Sequence, residues 1–339
     1  MTYQIALNFE DGVTRIIDCG EDELVMDAAF RQKINIPMDC RDGVCGTCKC
    51  HCEKGDYELD FYLDEAMTEE EAEEKYVLTC QMTPQSDCVL SVPVSSAVCK
   101  TGAETVKGEV IAVDALSATS FGLRVKLAKP IPFLPGQYVN IDVPGTGRHR
   151  SYSFSSAPGS DEASFLIRNL PGGVMSTWLG ETAKPGDAVE LTGPMGAFYL
   201  RPIERPQAWL AGGTGLAPFL AMLEKVAADG TDHPIRLFYA VTRAADLVEL
   251  ERLRALAEKI ESLTLVTILA AEDEAHERKG FVTDHLEPDD FNGGDADVYL
   301  CGPPPMVEAV RSHMAALGVA PASFHFEKFN PTETPAVAA

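Results

Sequence analysis

Positive charge is scarce in this sequence: 28 lysines and arginines stand against 52 aspartates and glutamates in 339 residues, for a net charge of −24. Such a surface repels nucleic-acid phosphates, whose binding rests on Lys and Arg, so no nucleic-acid partner is expected. No apolar run approaches the ~20 residues of a membrane span, and no membrane partner is expected either. The opening residues, Met-Thr-Tyr-Gln-Ile-Ala-Leu-Asn-Phe, lack the basic flank and apolar segment of a signal peptide, which points to the cytoplasm. Internal repeats and the Gly-x-Gly-x-x-Gly fingerprint are also missing.

What is present is ordinary for a globular protein, with 45% hydrophobic and 24% charged residues and length for two or three domains. The charge is uneven. Residues 1–98 hold 21 acidic against 7 basic side chains, a net −14 that leaves −10 for the other 241 residues. The densest run, Glu69 to Glu74, reads as a solvated helix face or first turn, or as a field that steers a basic partner.

Eight of the ten cysteines fall in the stretch from Cys40 to Cys99. Cys40, Cys45 and Cys48, with Cys80 in Leu-Thr-Cys-Gln, have the plant-type spacing for a [2Fe–2S] cluster held by four thiolates. Gly43, Gly46 and Thr47 allow a tight loop whose N–H groups point at sulfur, as a negatively charged cluster requires. A zinc site and plain core packing are the competing readings. Cys19, Cys50, Cys52 and Cys88 sit in strand-like surroundings and read as packing residues.

Along the chain the pattern changes twice, predicting a multidomain protein that is α+β, then all-β, then α/β. Residues 3–9 and 13–17 predict a hairpin across Glu-Asp-Gly, Leu24 to Ile34 a helix, and Cys88 to Val94 a returning strand. Domain boundaries are placed at 1–98, with a small-residue linker at 99–105. Residues 106–203 carry short β-rich runs punctuated by Pro-Gly pairs, which predicts an antiparallel barrel. From 204 to 330 strands alternate with helices: Trp209 to Ala211, Ala217 to Ala228, Ile235 to Val241, Leu247 to Ile260, Leu263 to Leu269, Asp297 to Cys301 and Met306 to Leu317. Alternation of this kind means a parallel sheet covered on both faces. Residues 331–339 read as a disordered tail.

The first 95 residues or so resemble the β-grasp plant-type ferredoxins. In the barrel, Arg150-Ser151-Tyr152-Ser153-Phe154-Ser155 resembles the Arg-x-Tyr-Ser-x-Ser flavin motif of the ferredoxin-NADP reductase family, Gly172-Gly173-Val174-Met175-Ser176 resembles its phosphate-binding turn, and Gly193 to Phe198 its Gly-Pro-x-Gly segment. In the last domain Ala211 to Pro218 resembles the Gly-Gly-Thr-Gly-x-x-Pro turn, Val298 to Met306 the Cys-Gly-Pro segment, and Phe326 to Phe329 the terminal Glu-x-aromatic, although ten residues follow Phe329 here.

The resemblance implies FAD on Arg150, Ser151, Tyr152, Ser153, Arg168, Gly173, Val174, Met175 and Ser176. It implies a nicotinamide coenzyme on Gly213, Thr214, Gly215, Pro218, Arg243, Cys301, Gly302 and Pro303, with Phe329 against the flavin. Ser153, Cys301 and Glu327 would be the catalytic group, Cys301 packing and orienting beside the nicotinamide rather than attacking it. After the second strand, Thr242-Arg243-Ala-Ala-Asp246 offers one Arg and no basic cluster for a 2′-phosphate, which favours NADH over NADPH. The module order resembles the reductase components of aromatic-ring dioxygenases, benzoate 1,2-dioxygenase reductases above all. That implies electrons passing from NADH through FAD and [2Fe–2S] to a terminal oxygenase with a Rieske cluster and mononuclear iron. A diiron monooxygenase reductase shares the order, and a non-enzymatic redox sensor is the reading from another class.

Overall fold

A computed structural model describes residues 2–38, 43, 46–64, 66–99, 104–271 and 274–329. Cys40, Cys45 and the tail 331–339 lie outside the described residues, as do linker positions 100–103. The chain divides into two compact units, Met1–Glu104 with Gly193–Ala197, and Thr105–Thr192 with Phe198–Ala339.

In the first unit β1 (Thr2–Phe9) and β2 (Thr14–Gly20) form the expected antiparallel hairpin, with Ile5, Leu7, Phe9, Ile17 and Cys19 alternating into the core. Helix α1 (Val25–Arg31) is shorter than the Leu24 to Ile34 expected from its apolar spacing. Lys33 adopts a left-handed φ of 63°, and Ile34 N–H turns back to the Ala29 carbonyl at 2.9 Å, which ends the helix. There follow β3 (Lys49–Lys54), β4 (Tyr57–Leu59), α2 (Glu69–Glu73), β5 (Tyr76–Leu78), β6 (Met82–Pro84) and β7 (Cys88–Val92). The main sheet runs β2-β1-β7-β3-β5 with β1 and β7 parallel, while β4 and β6 form a separate ribbon.

The acidic run forms α2, and the helix buries no residue. Thr68 and Glu71 cap its start reciprocally, and Glu71 also pairs with Lys49 at 2.6 Å. Cys19, Cys50, Cys52 and Cys88 are all buried on strands. One helical turn, α3 (Ser96–Cys99), leads into the stretch read as linker, because Asp11 accepts hydrogen bonds from Ser96 N and from the Ser95 and Ser96 hydroxyls.

The second unit begins with a six-stranded antiparallel barrel. Its strands are β8 (Glu104–Ser117), β9 (Ser120–Leu127), β10 (Tyr138–Val143), β11 (Arg148–Ser153), β12 (Glu162–Arg168) and, after helix α4 (Val174–Glu181), β13 (Ala188–Met195). The order is β11-β10-β13-β8-β9-β12, and an antiparallel bridge between Phe154 and Phe165 brings the two edges together. Phe154 is fully buried there and stacks on Phe133 at 3.7 Å between centroids.

The remainder is a parallel sheet: β14 (Gln207–Gly212), α5 (Leu216–Asp229), β15 (Ile235–Val241), α6 (Leu250–Lys259), β16 (Leu263–Leu269), β17 (Asp297–Gly302), α7 (Pro304–Ala316) and β18 (Ser323–Lys328). Its order is β16-β15-β14-β17-β18. Trp209 and Ala211 face one core, Ala208 and Leu210 the other, so the central strand is covered on both sides. Helix α6 starts later than Leu247 because Glu249 takes a left-handed φ of 61°. Among its described residues, the crossover from β16 to β17 has as helical structure the 3-10 segments Val282–His285 and Pro288–Gly294. The sequence pattern does not announce β18, whose residues are all part-buried.

Candidate functional site

The sheet order reverses direction between β14 and β17, and in an open parallel sheet ligands bind outside the carboxyl ends of the strands at that switch point. The residues there are small because the backbones touch. A Cβ on Gly215 would lie 2.2 Å from the Cys301 carbonyl oxygen, and one on Gly212 would lie 2.5 Å from Met306 Sδ. The Gly213–Gly215 turn therefore sits directly against the end of β17, with Thr214 part-buried and Pro218 buried at the start of α5.

Cys301 pairs in register with Ala211 on one side and Glu327 on the other. Burial, with the Glu327 carboxylate adding to it, raises the Cys301 thiol well above the ordinary range. It stays protonated, which agrees with a packing role and not with a nucleophile. One step on, Gly302 pairs with Lys328 and its carbonyl accepts from Phe329 N–H at 2.9 Å. Pro303 precedes α7 as its N-cap residue. Phe329 packs on the core formed by Trp209, Leu237 and Tyr299.

The barrel supplies the opposing group. Ser153 is buried at the end of β11, and its hydroxyl donates to Glu327 Oε2 at 3.2 Å. Tyr152, pulled upward in pKa by burial and only partly offset by Arg150, keeps a neutral phenol. Ser151 Oγ donates to Asn140 Oδ1 at 2.7 Å, and Arg150 donates to the His149 carbonyl at 2.7 Å. Closure of the barrel sets this strand beside β12, which ends at the exposed Arg168 and leads into the glycine turn. Gly173 is the N-cap of α4 without a side-chain cap, and Val174 and Met175 follow it. Ser176 Oγ accepts from Leu170 N–H at 2.8 Å and donates to the Arg168 carbonyl at 3.3 Å, fixing the turn with the helix N–H groups left for an anion. This cradle fits a diphosphate.

Arg243 lies apart from these residues, just beyond the end of β15. Its Nη1 is 3.1 Å from Glu274 Oε1, and Ala244 N–H donates to the same carboxylate at 2.6 Å. Asp246 accepts from Arg243 N–H and from the Thr119 hydroxyl of the barrel. Glu274, 31 residues from Arg243, escaped sequence reasoning, because nothing in its own surroundings links it to the turn after β15.

In the first unit Cys48 and Cys80 are buried in one small core with Met26, Ala66, Met67 and Leu78. Thr79 binds the Cys48 carbonyl through both its N–H, at 3.2 Å, and its hydroxyl, at 3.3 Å. Gln81 Nε2 lies 3.6 Å from Cys80 Sγ, a donor on sulfur that suits a thiolate ligand. Gly46 has a φ of +75° and passes the Ala66 carbonyl so closely that a Cβ would lie 2.7 Å from it, a close approach a side chain would block. These two sulfurs and their donors fit an iron–sulfur cluster.

Residues 8–85 match the 2Fe-2S iron-sulfur cluster binding domain, 107–199 the oxidoreductase FAD-binding domain and 209–312 the oxidoreductase NAD-binding domain. The toluate 1,2-dioxygenase electron transfer component of Pseudomonas putida is 53% identical over 332 residues, 97% of this chain and 99% of the relative. The 2-halobenzoate 1,2-dioxygenase electron transfer component of Burkholderia cepacia is 46% identical over 336 residues, 98% and 99% of the two chains. Among solved structures, an Amycolatopsis cytochrome P450 reductase superposes with a TM-score of 0.74 at 30% identity, covering 97% of this chain and 100% of that one. No helix among the described residues is long and apolar enough to cross a membrane. The chain belongs to the ferredoxin-NAD(P) reductase superfamily, among the iron–sulfur flavoprotein reductases that are electron-transfer components of aromatic-ring dioxygenases, with [2Fe–2S], FAD and NADH as its redox groups.

Proposed function

We propose that this reductase supplies electrons to a terminal oxygenase of the Rieske and mononuclear-iron type that acts on an aromatic carboxylic acid such as benzoate. The observation that carries the reading is end-to-end similarity to two electron-transfer components, both from dioxygenases named for aromatic carboxylates. When bound, FAD takes an electron pair from NADH, and [2Fe–2S] takes and passes on single electrons.

The chain's own residues divide the work. Cys40, Cys45, Cys48 and Cys80 hold the cluster. Arg150 and Arg168 offer positive charge and the Gly173 to Ser176 turn offers backbone N–H groups to the FAD diphosphate, while Ser151 and the neutral Tyr152 ring line the flavin site. Gly213, Thr214, Gly215 and Pro218 let the backbone approach the coenzyme, with Gly302 and Pro303 shaping the nicotinamide side and Arg243 the adenosine side. Cys301 fills space as a protonated thiol. Glu327 orients the Ser153 hydroxyl, which is the polar group the barrel presents toward the end of the nucleotide-binding sheet. Phe329, anchored through Gly302, gives that end an aromatic edge.

Two measurements test this. Anaerobic NADH added to the purified protein should bleach both the flavin and the iron–sulfur absorbance; colour that survives ends the reductase reading. Purified terminal oxygenases are then compared for coupled product formation. An aromatic-carboxylate dioxygenase should be served best, and faster turnover with a diiron hydroxylase would overturn the partner assignment.

A further inference from the structure

We propose that Glu274 sets the preference of this reductase for NADH over NADPH, by occupying the guanidinium of Arg243 that a 2′-phosphate would need. The inference rests on the reductase reading above and adds a specificity residue to it. In a parallel nucleotide-binding sheet the ribose lies beyond the second strand, where an acidic group favours a 2′-hydroxyl and an arginine accommodates a 2′-phosphate. Here the second strand is β15, and both kinds of residue are present at its end. Arg243 is the cation there, and its Nη1 is engaged at 3.1 Å by Glu274. The Glu274 carboxylate is held from its other oxygen by Ala244 N–H at 2.6 Å, so it is fixed to the same turn by two contacts.

Asp246 contributes a second carboxylate, tied to Arg243 N–H and to Thr119. Among the described residues the turn therefore sets two carboxylates around Arg243, and an arriving phosphate must displace one carboxylate from its guanidinium while facing the other. NADH, with a hydroxyl at that position, bears neither cost.

The test uses the full-length holoprotein with Glu274→Gln, whose amide oxygen still accepts from Ala244 N–H but whose neutral head releases Arg243. Flavin reduction by NADH and by NADPH is followed by anaerobic stopped flow, and kcat/KM by reduction of ferricyanide. The NADPH kcat/KM is expected to rise about tenfold or more, as one charge-assisted contact warrants, to shrink with added salt, and to return to the wild-type value in the Glu274→Gln/Arg243→Ala double variant. An NADPH value that stays flat in the flavin-replete single variant overturns the proposal. So does a ratio that moves only because NADH declines, or a gain that survives loss of Arg243. Failure of NADH to reduce the wild-type flavin would fault the reductase reading instead.

Discussion

The Ser153 hydroxyl donates to Glu327 Oε2 at 3.2 Å, joining the end of barrel strand β11 to sheet strand β18 across 174 residues of chain. A hydrogen bond to a charged group contributes about 1.5–3 kcal/mol, or about 10- to 100-fold in rate where it positions reacting groups. Ser153→Ala and Glu327→Gln are each expected to slow NADH-driven flavin reduction in that range, read by stopped flow, with flavin content retained. Because the two act as a pair, the double variant should be little slower than the slower single one. Fully multiplicative losses would show that they work separately.

Electron exit can be separated from electron entry. Cys80→Ala removes a thiolate from the proposed cluster while leaving the second unit of the chain untouched. NADH reduction of the flavin should persist, and cytochrome c reduction should be lost. If cytochrome c is still reduced at the wild-type rate, electrons leave from the flavin directly.

The two glycines of the nucleotide turn should respond differently to alanine. At Gly215 a Cβ would lie 2.2 Å from the Cys301 carbonyl oxygen, which is backbone held in a sheet, so Gly215→Ala is expected to cost about 3 kcal/mol, the upper end for overpacking. Gly213 has a φ of +56° and open space around it, so Gly213→Ala should cost only about 1 kcal/mol of backbone strain. Urea unfolding midpoints of the two variants check this, and equal destabilisation would remove the distinction.

His325 on β18 supplies a pH dependence. Burial, reinforced by the Arg201 guanidinium and opposed by Asp297, lowers its pKa from 6.5 to about 3. Between those values the unfolded chain binds a proton that the native state refuses, so this residue's contribution is complete above pH 6.5 and is lost as pH falls toward 3. His325→Phe, next to the Tyr299 ring at 4.7 Å, should leave the melting temperature less sensitive to pH in that window. Parallel pH profiles for the two proteins would place the acid sensitivity elsewhere.

Local chemistry was legible in advance, and long-range pairing was not. The hairpin of β1 and β2, the barrel's Pro-Gly punctuation and the strands Ile235–Val241 and Leu263–Leu269 follow from periodicity and turn residues, which act within a few positions. At Lys33 and Glu249 a left-handed φ breaks a helical pattern that apolar spacing alone would continue, so the helix ends there are set by backbone conformation rather than by periodicity. Strand β18 alternates Phe324 and Phe326 against one core over only six half-buried residues, too short a signal to mark it in the sequence; pairing with β17 is what makes it a strand.

The sequence by itself determined the order of the three modules, the cysteine spacing and the glycine turns, since each depends on residue types at short fixed intervals. Only the tertiary structure decided which of these groups meet. The parallel register of β17 and β18 sets Glu327 beside Cys301, and the packing of the barrel on the sheet brings Ser153 within reach of it. Likewise Glu274 reaches Arg243 only because β16 lies next to β15, so that the loops beyond them share one end of the sheet. Burial then sets the state of each group, keeping the Cys301 thiol protonated and the Tyr152 phenol neutral, a property of surroundings that no short stretch of sequence contains.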